Sequence, residues 1–168
     1  MVDEIVNRVA NSGLINLDLS DYAPAKTFDE IDLKQFLFEG FILKEKEFRN
    51  TLKAFDFSAY ENKVVAVNCS SDCIIPMWAF MLITSYLNNV ASEIHFGTKN
   101  EVFQKLFLQN IESINPDEFE NKKVIVKGCG HIPLNEHLYV AITKKLQNTV
   151  SSLMFGEACS AVPVFKKK

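Results

Sequence analysis

The chain has 168 residues, of which 48% are hydrophobic and 23% charged, the balance of a globular domain with a sizeable core. A net charge of -3 gives no electrostatic argument for nucleic acid, and Lys166-Lys167-Lys168 reads as a solvated tail. The longest apolar run, Ile74 to Ile83, is well short of the about 20 residues that cross a bilayer, so no membrane partner is expected.

Met1-Val2-Asp3-Glu4-Ile5-Val6-Asn7-Arg8 lacks the charged-then-apolar pattern of a secretory leader, and a cytoplasmic location is expected. In a reducing compartment the four cysteines are expected to be free, catalytic or metal-bound. Leu14 to Leu19 alternates apolar and polar residues, which predicts a strand. Phe36 to Phe41 reads as helix or strand, and an exposed cluster of Phe36, Phe38 and Phe41 would form a dimer surface. Phe48, Leu52 and Phe55 stand at helical spacing and predict a helix over Lys44 to Phe55. Residues 1–62 are read as an N-terminal α+β extension covering a face or edge of the sheet built by the rest of the chain.

Residues 63–155 read as β-α-β-α-β-α-β. Strands are predicted over Lys63 to Asn68, Ser92 to Phe96, Lys122 to Lys127 and Val150 to Phe155. The helices between them are Ile75 to Leu87, Asn100 to Glu112 and Asn135 to Gln147. The first is apolar nearly all round and is expected to be deeply buried, with Pro76 in its first turn and Ser71 or Asp72 as its cap. This alternation predicts one α/β domain over residues 1–168. It is a three-layer arrangement around a mostly parallel central sheet, with a flavodoxin-like strand order 2-1-3-4.

Three of the four predicted strands end at a cysteine that is soon followed by proline. Cys69 leads to Pro76, Cys129 to Pro133 and Cys159 to Pro163. Cys129-Gly-His-Ile-Pro133 and Cys159-Ser-Ala-Val-Pro163 share C-x-x-[IV]-P, and Cys73-Ile-Ile-Pro76 is close to it. In the order 2-1-3-4 the three cysteine-bearing strands are neighbours, and their thiols form a row at the C-terminal edge, where open α/β sheets bind ligands. Cys69 and Cys129 precede predicted helix starts, whose N–H groups favour a thiolate. Gly128, Gly130 and Gly156 permit tight turns there.

Cys69, Cys129 and Cys159 are therefore the expected metal ligands, with zinc ahead of an iron–sulfur cluster. A fourth position falls to Cys73, His131, Asp72, Glu157 or water. His131, Asp72 and Glu157 are also the candidate acid–base residues of an enzyme. Any one cysteine is better read as a small buried hydrophobe, Cys73 above all, and only the recurrence at three strand ends shifts the balance toward a thiol site. His95 and His137 are read as structural. Ser70 and Ser71 with their N–H groups are candidates to receive an anion, and a small-molecule ligand at the sheet edge is expected.

Val2 to Ala10, the stretch Asn68-Cys69-Ser70-Ser71-Asp72 through Ile75-Pro76 and Trp78-Ala79, and the ending Gly156-Glu157-Ala158-Cys159-Ser160 to Lys168 resemble an uncharacterised bacterial family, a domain of unknown function. The resemblance spans essentially the whole chain and implies a bacterial cytoplasmic single-domain protein, with no activity and no functional residue attached. Three function classes remain open: a metal-binding protein with or without catalysis, a metal-free thiol enzyme or redox protein, and a non-catalytic binding module, any of them as a homo-oligomer.

Overall fold

The computed structural model describes residues 13–128 and 132–168. Cys129 and His131, two of the candidate site residues, lie outside the described residues, as does the stretch Val2 to Ala10. In chain order the described elements are β1 (Leu14–Asp18), β2 (Phe28–Asp32), α1 (Glu45–Ala54), β3 (Val64–Asn68), α2 (Met77–Leu87), β4 (Glu93–Phe96), α3 (Lys99–Glu112), β5 (Lys123–Lys127), α4 (Glu136–Leu146), β6 (Ser152–Phe155) and β7 (Val162–Lys166).

The strands divide between two sheets. One has the order β2-β3-β4 and is wholly parallel; the other has the order β1-β5-β6-β7, parallel except for the last pair. The class is mixed α/β with mostly parallel strands, as expected. The flavodoxin-like order in one central sheet is corrected: β3 and β5, predicted to flank the switch point, belong to different sheets. The cause is the part of the chain read as a covering extension. Its strands β1 and β2 pair with β5 and β3 respectively, along five residues each.

The sheets belong to two compact units. A nested unit runs from Ala25 to Lys105, and a flanking unit comprises the chain up to Pro24 and from Leu106 on. In the nested unit β3 is buried along its whole length, the burial expected of a parallel strand covered on both faces. Phe48 and Leu52 of α1 and Ala79, Ile83 and Leu87 of α2 pack with Ile31, Leu33 and Val65 into one core. In the flanking unit the buried set includes Leu17, Leu19, Phe107, Ile111, Val124, Val126, Leu138, Ile142, Leu146 and Leu153.

Two expectations for α2 are corrected. Its N-cap is Pro76 without a side-chain cap, so neither Ser71 nor Asp72 serves there. Full burial is confined to the stripe Ala79, Ile83 and Leu87, with Trp78, Phe80, Leu82 and Tyr86 partly buried, while Met77 and Met81 are 73% and 71% exposed. Phe36 is buried, with ring contacts to Phe48 and Phe55, so it cannot join Phe38 and Phe41 in an exposed cluster.

The two units are built on one plan. Residues 55–97 and 114–156 correspond at a constant spacing of 59 positions, as from Asn62 to Asn121. Glu61-Asn62-Lys63 matches Glu120-Asn121-Lys122, and Ile83, Thr84, Leu87, Asn89, Ser92, Phe96 and Gly97 match Ile142, Thr143, Leu146, Asn148, Ser151, Phe155 and Gly156. The backbone repeats with them. Asn62 and Asn121 both have positive φ, 58° and 57°. Asn62 N–H donates to Val90 O at 3.0 Å, and Asn121 N–H to Thr149 O at 2.9 Å. Gly97 N–H donates to Val67 O at 3.0 Å, and Gly156 N–H to Val126 O at 3.1 Å.

The first strands complete the correspondence. Asp18 ends β1 and accepts from Ser20 N–H at 3.0 Å; Asp32 ends β2 and accepts from Lys34 N–H at 2.9 Å. Each caps a short 3-10 turn with a fully buried leucine, Leu19 or Leu33. In register, Asp18 stands opposite Lys127 and Asp32 opposite Asn68, again 59 positions apart.

Candidate functional site

The nested unit gathers a polar cluster beyond the C-terminal ends of β2 and β3. A parallel pair in register brings Asp32 and Asn68 side by side, and the chain leaves β3 through Cys69-Ser70-Ser71-Asp72-Cys73. Asp32 organises this loop. Its Oδ1 accepts from Ser70 N–H at 3.0 Å as well as from Lys34 N–H, and its Oδ2 accepts from Ser70 Oγ at 2.5 Å. Partial burial works against the charge on Asp32, but the bonds from Ser70 and Lys34 outweigh it and hold the carboxyl below its ordinary pKa. Ser71 Oγ donates to Gly40 O at 2.6 Å, tying the loop to the turn before α1. Cys73 N–H donates to Ser71 O at 2.9 Å and closes a tight turn.

That turn brings Cys73 back onto Cys69. Both thiols are half-buried and free; Cys69 Sγ donates to Ser71 O at 4.0 Å, and the Cys73 thiol is near enough to act on the Cys69 charge. Burial pushes the Cys69 thiol above its ordinary pKa; the Ser71 backbone opposes this, and the Cys73 thiol and the Asp32 carboxylate reinforce it. Cys69 is therefore a protonated thiol near neutrality, contrary to the thiolate expected of a helix start. The physical reason lies in the loop: seven residues separate Cys69 from Met77, where α2 begins. Beside the pair, Asn68 is buried. Its Nδ2 reaches Gly97 O only at 3.5 Å, and its Oδ1 accepts no hydrogen bond among the described residues.

The other candidates are placed differently. Cys159 is exposed in the turn between β6 and β7, and Glu157 is exposed two residues before it. Asp72 is exposed. His137 is exposed on α4, whereas His95 is half-buried and lies 3.0 Å from Glu93. The strand before Cys69 belongs to one sheet and the strand before Cys159 to the other. Among the described residues no three His, Cys, Asp or Glu side chains come together to hold a metal ion.

Sequence reasoning undervalued Cys73 and passed over Asp32 and Asn68. Cys69-x-x-x-Cys73 was the available signal for the first. For Asp32 the signal was Ile31-Asp32-Leu33, which repeats Leu17-Asp18-Leu19. In the duplication Gly128 stands where the nested unit has Cys69. A Cβ there would lie 2.0 Å from Leu134 Cδ1 and 2.6 Å from Tyr139 Oη.

No helix among the described residues is long and apolar enough to cross a membrane. A family model described as a protein of unknown function, DUF2480, matches residues 3–167. No curated protein and no solved structure matches the chain.

Proposed function

We propose that this chain, which belongs to the DUF2480 family of unknown function, is a dithiol protein whose Cys69–Cys73 pair cycles between two thiols and a disulfide. The observation that supports the reading is the adjacency of these two thiols in a loop fixed by Asp32, Ser70 and Ser71. Cys73 is the entry point, because Cys69 is held protonated by burial. The thiolate of Cys73 attacks one sulfur of a disulfide in a partner molecule and forms a mixed disulfide. The partner's other sulfur leaves as a thiolate and takes a proton. Cys69, once it has lost its own proton, attacks Cys73 and expels the partner's second thiol. The chain loses two electrons and two protons, and the partner disulfide becomes two thiols.

Equilibration with a disulfide redox buffer, followed by alkylation and peptide mass mapping, tests this. A Cys69–Cys73 linkage that forms reversibly and is lost in Cys73→Ser is the expected result. Two alkylatable thiols under oxidising buffer would overturn the reading.

A second reading places a metal, zinc ahead of an iron–sulfur cluster, with Cys69 and Cys73 as two of its ligands. The same adjacent pair supports it, since two neighbouring thiols supply half of a four-sulfur zinc site. Elemental analysis and a visible spectrum of protein purified without chelator separate the two readings. One equivalent of zinc that blocks oxidation of the pair decides for metal.

A further inference from the structure

The duplication shows how the edge of β4 is used. In the flanking unit the equivalent strand, β6, is covered by antiparallel β7, with Phe155 opposite Val162 and Leu153 opposite Phe165. In the nested unit β4 pairs with β3, and no other described strand pairs with it. The surroundings repeat otherwise. Phe80 meets Phe96 edge-on at 5.5 Å and 82°, and Tyr139 meets Phe155 at 5.7 Å and 79°, at equivalent positions. The β4 edge thus has the local build of a strand that accepts an antiparallel neighbour.

The backbone fixes which groups are on offer. Glu93 N–H and Gly97 N–H point to Lys63 O and Val67 O of β3. By alternation Ile94 and Phe96 present their N–H and C=O groups at the free edge. At that edge Phe96 is 74% exposed, and α2, whose Phe80 ring meets it, exposes Met77 and Met81 one turn apart. An unpaired edge flanked by apolar surface is a template for another strand.

The charge pattern selects the occupant. We propose that β4 pairs antiparallel with β4 of a second copy of this chain, about a two-fold axis at Ile94, with the α2 flanks meeting beside it. In this register Ile94 faces its own copy in a hydrogen-bonded pair. Glu93, which holds Lys26 and His95 of its own chain, also faces His95 of the second copy in the non-hydrogen-bonded pair, where cross-strand side chains come closest, and the contact occurs twice by symmetry. A two-fold axis at His95 sets two imidazoles against each other and Glu93 against a glycine. The edge is thus complementary to itself and needs no foreign strand. This interface is independent of the dithiol reading.

Sedimentation of the full chain over a dilution series, with amide hydrogen exchange at both ends of the series, tests the proposal. The expected species has twice the 19.1 kDa chain mass, and the Ile94 and Phe96 amides gain protection as it forms. Met81→Glu, at an exposed position, is expected to keep the monomer's melting temperature and weaken dimerisation about tenfold or more; Phe96→Lys should weaken it as well, while lowering the melting temperature through the lost Phe80 contact. A chain that stays monomeric overturns the proposal. So does a dimer that leaves the Ile94 and Phe96 amides unprotected, or one that both substitutions leave intact. Protection of those amides only when an unrelated protein is present would assign the edge to a foreign strand and also overturn it.

Discussion

Cys69 and Asp32 show how neighbours decide what a side chain does. Burial holds the Cys69 proton, so its alkylation at neutral pH is expected to be slower than that of an unstructured cysteine. The rate should rise only as pH climbs beyond the ordinary thiol pKa of about 8.5, which mass-resolved alkylation against pH measures. Asp32 is shifted the other way. Because its folded pKa is depressed, its contribution to stability is present above the ordinary carboxylate value, about 3.9. That contribution is lost as pH falls through the lower folded pKa. Denaturant unfolding of the wild type and Asp32→Asn across the acid range should show this loss only in the wild type. Asn68 is a second residue-scale test. A buried acceptor without a partner costs about 1–3 kcal/mol, so Asn68→Leu is expected to raise the melting temperature.

At the scale of elements, helix and strand positions followed from local pattern. The helix predicted over Lys44 to Phe55 is α1, Glu45–Ala54, because its apolar spacing and the Glu45–Arg49 bond one turn apart are properties of the segment alone. β2 was harder to read. Phe28-Asp29-Glu30-Ile31-Asp32 carries three acids, and it is a strand because β3 offers it a parallel edge and Lys63 pairs with Asp29. The two strand-exit glycines are a matched pair for experiment. Gly97 and Gly156 have φ of 127° and 111°, where any side chain is strained. Gly97→Ala and Gly156→Ala should each cost about 1–3 kcal/mol in denaturant unfolding. Gly128→Ala should cost about 1–3 kcal/mol for a different reason, overpacking against Leu134 and Tyr139. Its value should fall toward the low end, because side-chain tips can swing aside.

For the whole molecule, the division into two units with one plan matters most. The nested core around Phe48, Leu52, Val65 and Ile83 draws only on residues between Ala25 and Lys105. Leu52→Ala should therefore cost about 2–5 kcal/mol. Native-state hydrogen exchange should show the loss in the amides of β3 and leave those of β5 and β6 protected. A uniform loss across both sheets would show that the units unfold together.

By itself the sequence determined the local elements, the mixed α/β class and the mostly parallel pairing, because periodicity, β-branched runs and turn residues act within a few residues of one another. It also marked the polar exit of β3, including the spacing that joins Cys69 to Cys73. Only the tertiary structure decided which strands share a sheet. Sheet membership depends on hydrogen bonds between segments far apart in the chain, such as Asp18 opposite Lys127, and no local pattern encodes that choice. The same long-range pairing placed the strands before Cys69 and Cys159 in two sheets and set Asp32 against the loop that brings two thiols together.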